Sequence, residues 1–334
     1  MSRPILAAAF GTALTCLPAL AQAQTSVLYG LMDASGSNVK PVGSSNDRWQ
    51  LDNGNMSRSF LGVRGSEDLG GGLRAVWRLE SYLRVDNGTS GRFDGDGYWA
   101  REASVGLSGA FGTTVIGRSA SPLWSAVVNF NPFGESIGFS PSARQTFGGL
   151  LGDTRWNNSV SYVNNASDPL RVNIAYNADE TNARSGGHNV GASLSYITGP
   201  FAATVVAERV RNSAQALPAG FDQQVIFYGG ATYDFKFLRV YGQAGRIKTE
   251  AATEARTTLY QLGAAVPIGT SLILAAYGHS RTKTPGLTST DKQGSVGYDY
   301  FLSKNTDIYV AALYEKLSKV SSGRSFAGGV RLRF

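Results

Sequence analysis

From Val27 onward the chain repeats one unit, about ten residues of alternating apolar and polar character followed by a break. The breaks alternate in length. Short ones fall at 68–72, 109–112, 165–169, 198–200, 234–236, 267–270 and 303–306. Long, mostly polar ones fall at about 35–57, 82–98, 119–154, 178–187, 210–223, 248–256, 281–291 and 317–323. Seven short and eight long connections join sixteen strands. That rhythm predicts an all-β fold, an even-numbered antiparallel transmembrane barrel with tight turns at one end and long loops at the other. A β-sandwich also reads as many short strands, but it has no reason to sort its connections by length.

Parity within the strands says what each face meets. In one stretch Leu73, Ala75, Trp77 and Leu79 share a face, opposite Arg74, Val76, Arg78 and Glu80. In the last, Phe326, Gly328, Val330, Leu332 and Phe334 lie opposite Arg331 and Arg333. A soluble barrel cannot keep unpaired arginines inside, whereas a water-filled lumen can. Lipid offers no hydrogen bonds, so a spanning sheet must close on itself. Sixteen strands enclose an aqueous channel, where eight are filled by side chains. Tyr29, Tyr162, Tyr176, Tyr196, Tyr233, Tyr260, Tyr298 and Tyr309 recur near strand ends and are expected to form interfacial girdles.

The first residues set the compartment. Arg3, an apolar run over 5–20 and Ala21-Gln22-Ala23 read as a signal peptide, residues 1–23, leaving a barrel domain over 24–334. The run is short for a membrane helix and contains Gly11 and Pro18. The single cysteine, Cys16, falls inside it without lipoprotein spacing, so the processed chain has no disulfide. Removing Arg3 lowers the formal net charge from +7 to +6. The excess suits nucleic acid, anionic lipid or an anion pathway, and the scattered arginines argue against nucleic acid.

At this point the sequence resembles the general porins of Gram-negative bacteria, of the β-proteobacterial type. Val27-Leu28-Tyr29-Gly30-Leu31-Met32-Asp33 is similar to that family's first strand, and the stretch from Phe60 to Trp77 to its second hairpin. The stretch from Ala103 to Thr113, with Gly117-Arg118, is similar to its fourth and fifth strands. The resemblance spans essentially the whole processed chain. It implies a homotrimer in the outer membrane, in contact with lipid and lipopolysaccharide. It also implies a third long loop folded into the lumen and passive diffusion of small hydrophilic solutes and ions. The terminal aromatic, Phe334, is similar to the signal that the family's barrel-insertion machinery reads.

In the family an arginine cluster on the wall faces carboxylates on the third loop. Parity selects Arg58, Arg64, Arg74, Arg78 and Arg118 as wall candidates, with Arg101 and Arg155 beside them. Trp124, Phe130, Phe133, Glu135 and Asp153 are the loop candidates. Two departures stand out. Phe60 occupies a position where relatives often carry a base, and Arg58 lies two residues earlier on the same face. Residues 119–152 contain one acid, Glu135, with Asp153 at the loop's end. Many arginines against so few carboxylates predict a positive constriction and a preference for anions.

No catalytic, cofactor or metal motif accompanies this pattern. His188 and His279 are the only histidines, and His279 beside Ser280 points to the opposite strand face, so the two share no proton. The glycine runs precede strands, without the helix a phosphate cradle requires. Two alternatives share the architecture: a channel specific for an anionic nutrient, and a structural or adhesive barrel that does not conduct.

Overall fold

The computed structural model describes residues 25–178, 187–213 and 216–334, so the expected leader over 1–23 lies outside the described residues. The alternating stretches form the strands β1 (Thr25–Lys40), β2 (Arg48–Asn53), β3 (Phe60–Gly70), β4 (Leu73–Arg84), β5 (Thr89–Ser90), β6 (Glu102–Gly109) and β7 (Gly112–Ala120). Two helices follow, α1 (Pro122–Asn129) and α2 (Pro141–Phe147). The chain continues through β8 (Arg155–Val163), β9 (Leu170–Asn177), β10 (Asn189–Thr198), β11 (Phe201–Val210), β12 (Gln223–Asp234) and β13 (Arg239–Glu250). It ends with β14 (Ala255–Ile268), β15 (Ser271–Thr284), β16 (Leu287–Phe301), β17 (Thr306–Leu317) and β18 (Gly323–Arg333). β2 and β5 are short ladders above the first hairpins, and the other sixteen strands make the wall.

Every wall strand pairs antiparallel with its sequence neighbours, and β18 returns to β1 from Leu31↔Arg333 to Lys40↔Arg324. Gly30 and Phe334 complete the closure by exchanging both backbone hydrogen bonds, at 2.9 and 3.1 Å. The sheet therefore has no free edge in lipid. Leu262, Val105 and Phe227 are exposed on the outside, while Asp33, Gln224 and Asp307 are fully buried inside. Tyr176, Tyr196, Tyr233, Tyr260 and Tyr298 face outward as expected. Tyr29 and Tyr309 do not: their hydroxyls donate inward, to Glu80 and to Asp33. Those two rings follow strand parity, which overrides any preference for the interface.

Two breaks read as long loops are largely strand. β13 runs to Glu250 before β14 begins at Ala255, and only Pro285 and Gly286 separate β15 from β16. Polarity in a sequence reports solvent, and above the lipid the ladder continues with both faces wet.

The longest connection, 121–154, contains the only two α-helices among the described residues. Each begins with Ser-Pro. The Ser121 hydroxyl accepts from the Trp124 N–H at 3.3 Å and that of Ser140 from the Ala143 N–H at 3.2 Å. Proline follows at the first helical position, where its missing N–H is no loss. Leu123 and Val127 pack with Val206, Val210, Ile226 and Ile247, and Phe133 and Phe139 with Leu274 and Ala276. Burying each such aliphatic side chain contributes about 1.5–3 kcal/mol.

Glycines on the inner face of the wall make room for this packing. A Cβ at Gly230 would lie 2.9 Å from Phe130, at Gly263 2.6 Å from Pro132, at Gly278 2.7 Å from Gln145 and at Gly297 3.0 Å from Phe133. A buried carboxylate adds a polar anchor, since Glu208 accepts from the Leu123 N–H at 2.7 Å.

Candidate functional site

The turn before β3, the end of β4, the loop bearing β5, the 121–154 segment and the tops of β16 and β17 enclose a space of about 520 Å3. Arg58, Tyr82, Arg92, Trp124, Arg144, Asp153, Asp291 and Glu315 line it. Arg58 comes from the turn before β3, and that turn is fixed by Asp33. Its carboxylate accepts from the N–H of Met56 at 3.0 Å and of Ser57 at 2.6 Å, and from the Tyr309 hydroxyl at 2.6 Å. Arg331 adds a bond to the Ser57 hydroxyl at 3.1 Å and is held by Asp299 and Asp307 at 2.7 and 2.9 Å. Among the described residues Arg58 has no carboxylate within ion-pair distance; its guanidinium lies 5.8 Å from the Tyr82 ring.

The two loop acids are engaged. Glu135 faces Arg101 at 3.8 Å, while Arg101 also meets Glu80 at 2.9 Å and lies 4.1 Å over the Phe60 ring. Phe60, the departure from the family pattern, thus serves as a platform for a base contributed by another element. Asp153 takes both nitrogens of Arg92, at 2.6 and 3.0 Å, and Arg118 at 3.2 Å. Burial by itself would raise the Asp153 carboxyl. The hydrogen bonds and charge of Arg92, joined by the charge of Arg118, outweigh it and hold the carboxyl down at about 2.

The remaining candidates divide. Arg118 does not line the space, because Ser119 carries the inward parity there and bonds Ser159 and Ser161. Arg118 instead binds Asp153, the Asn157 side chain and the carbonyls of Ala100 and Arg155. Arg155 is buried, 5.3 Å from the Trp124 ring, which stacks on Phe147 at 5.0 Å. Phe130 and Phe133 turn to the wall glycines and anchor the segment. Arg64, Arg74 and Arg78 line a separate space of about 450 Å3 nearer the short turns. Arg78 pairs with Glu102 at 3.1 Å, whereas Arg64 covers the Tyr29 ring at 4.8 Å and Arg74 bonds Ser66 at 3.1 Å.

Sequence reasoning missed four residues around the larger space. Arg92 lies in an irregular loop, where parity says nothing. Arg144 was a base in a segment searched for acids, and it reaches back to Glu315 at 2.7 Å. Asp291 and Glu315 stand on strands distant in sequence, although their inward parity was available as a signal. They put the acids facing Arg58 on the far wall as well as on the loop.

Comparison with known proteins places this architecture. The Gram-negative porin family matches residues 7–319. Outer membrane porin protein 32 of Delftia acidovorans is 29% identical over 331 residues, covering 93% of this chain and 91% of that protein. An outer membrane porin protein of Bordetella pertussis is 29% identical over 397 residues, covering 100% of this chain and 99% of its own. The solved structure of an anion-selective porin from Comamonas acidovorans superposes with a TM-score of 0.80 at 24% identity, over 93% of this chain and 100% of that one. At that identity the likeness is one of fold.

Proposed function

Because this chain belongs to the Gram-negative porin family, an outer-membrane pore for passive diffusion, we propose that its lumen favours small hydrophilic anions over cations. Its relatives are channels and not enzymes. One observation carries the preference: Arg58, Arg64 and Arg74 border the water passage without a carboxylate partner among the described residues, while Glu135 and Asp153 are taken up by arginines. A pore selects by width and by the field across its narrowest section. The 121–154 segment narrows the lumen, and Arg58 sets the field on one side of the gap. Asp291 opposes it, while Glu315 is taken up by Arg144, so the preference is weaker than the loop composition alone implies. Screening over about 8 Å keeps distant loop charges out of the balance.

We further propose that the native form is a homotrimer of the processed chain, residues 24–334, exported by a signal over 1–23 that is then removed, with Phe334 read by the insertion machinery and the outer face in lipid. The solved structure of a Vibrio cholerae outer membrane protein in trimer form, which shares the fold, supports the oligomer. Planar-bilayer recordings in a salt gradient test the ion preference. A reversal potential on the anion side is expected, and one on the cation side sinks the reading.

A further inference from the structure

When the ion pairs around the space of about 520 Å3 are drawn, two charges of opposite sign are left over. On one side Arg92 meets Asp153 at 2.6 Å and Asp96 at 2.8 Å, while Arg58 has no carboxylate within ion-pair distance among the described residues. On the other Arg144 meets Glu315 at 2.7 Å, and Asp291 has no cation within that distance among the described residues. The Asp291 carboxylate is only half satisfied. Its Oδ2 accepts from Gln145 at 3.2 Å and from Gln293 at 2.8 Å, whereas its buried Oδ1 has no donor among the described residues.

Much of the remaining lining is apolar. Trp124 stacks on Phe147 at 5.0 Å, and Phe93, Ile137 and Leu150 join them. A bare ion gains nothing from such surface, whereas a solute with an apolar side chain does. An anion answers Arg58 and leaves Asp291 unmet; a cation does the reverse. A solute that carries one charge at each end answers both, and its N–H groups supply the donor that a buried acceptor lacks.

We infer that this space is a binding site for short zwitterionic peptides on their way through the lumen. Arg58 takes the terminal carboxylate in charge-assisted hydrogen bonds, and Asp291 takes the terminal ammonium. Phe93, Phe147 and Leu150 meet an apolar side chain of the peptide. A volume of about 520 Å3 is roughly 10 Å across, the reach of two or three extended residues at about 3.3–3.6 Å each. The inference rests on the reading of the lumen as a diffusion passage, and it is separate from the ion preference.

Current noise in single-channel recordings reports the affinity of three probes: alanyl-leucine, its N-acetyl derivative, which is an anion, and its C-terminal amide, which is a cation. The recordings are made at about pH 6, below the ordinary α-amino range of about 7.7–8.0, so that the free amine is charged. Alanyl-leucine is expected to bind about tenfold or more tightly than either derivative, the worth of one hydrogen bond to a charged group. Asp291→Asn should abolish its advantage over the N-acetyl derivative, and Arg58→Gln its advantage over the amide. Binding of the N-acetyl derivative as tight as that of alanyl-leucine makes the space a plain anion site and overturns the proposal. Equally tight binding of the amide overturns it in favour of a cation site, and so does absence of binding by all three probes. Retention of both advantages in the two variants also overturns it. If either variant fails to fold, the three-probe comparison on wild type decides. A reversal potential on the cation side, with the ranking of the probes kept, sinks the ion preference and leaves the peptide site standing.

Discussion

The Asp33 carboxylate accepts a 2.6 Å hydrogen bond from the N–H of Ser57, the residue that precedes Arg58. One strand-one carboxylate, fully buried and tied also to Met56 and Tyr309, thereby fixes where the free guanidinium stands. An amide at this position keeps the shape, and its oxygen can still accept both N–H groups, but the Tyr309 hydroxyl then meets an NH2 donor in place of a charged acceptor. Asp33→Asn is expected to destabilise the barrel by about 1–3 kcal/mol, the cost of leaving buried donors unmatched. The heat-modified mobility shift on gels should then occur at lower temperature, and the reversal potential should drift toward cations as Arg58 loosens. A variant with wild-type values of both refutes the positioning role.

Removing Arg58 itself leaves the frame intact. Arg58→Gln is expected to lower the anion-to-cation permeability ratio by about two- to fourfold, the effect of a unit charge several ångströms from the ion path in water. Conductance in symmetric salt should change little. An unmoved reversal potential would shift the burden of selectivity to Arg64 and Arg74.

The Arg92–Asp153 tie gives a pH dependence of known sign. A carboxyl depressed to about 2 contributes stability in full above its ordinary range near 4, and loses it as pH falls through about 2. Channel recordings should therefore be quiet from pH 7 down to about 4 and become noisy between about 4 and 2. Arg92→Gln, which removes two of the bonds to Asp153, is expected to bring that noise to higher pH.

The wall glycines offer a steric test of how the 121–154 segment is held. Gly263→Val puts a side chain where Pro132 sits, and overpacking of this kind costs about 1–3 kcal/mol. The segment should lift, raising conductance and weakening ion preference. Gly242→Val is the control, since a Cβ there meets only Leu262 at 3.8 Å, and it is expected to leave both unchanged. Identical behaviour of the two variants would mean that the segment is not seated by these glycines.

Much of this molecule was legible before any coordinates. Strand number and the inversion of polarity follow from a period of two and from alternating break lengths, because the pleat sends successive side chains to opposite solvents. Trp124, Arg58 and Asp153, singled out by parity and by the length of one connection, line one space. Strand ends were less legible: Arg281 and Lys283 look like loop and are ladder. Arg92, Arg144, Asp291 and Glu315 escaped notice because Arg92 lies in an irregular loop, Arg144 on a helix of the long connection and the other two on strands far away in sequence.

By itself, then, the sequence determined a closed sixteen-stranded wall with water inside and lipid outside, because hydrogen-bond closure and face alternation are local rules repeated along the chain. Only the tertiary structure decided which charges remain free. Whether Asp153 offers its charge to a passing ion or spends it on Arg92 and Arg118 depends on distances between segments that the chain order leaves open. Electrostatic energy falls with separation in space and takes no account of separation in sequence. The acid-poor loop pointed to a net positive gap; Asp291, brought across from β16, tempers it to a modest bias around Arg58, while Glu315 is taken up by Arg144.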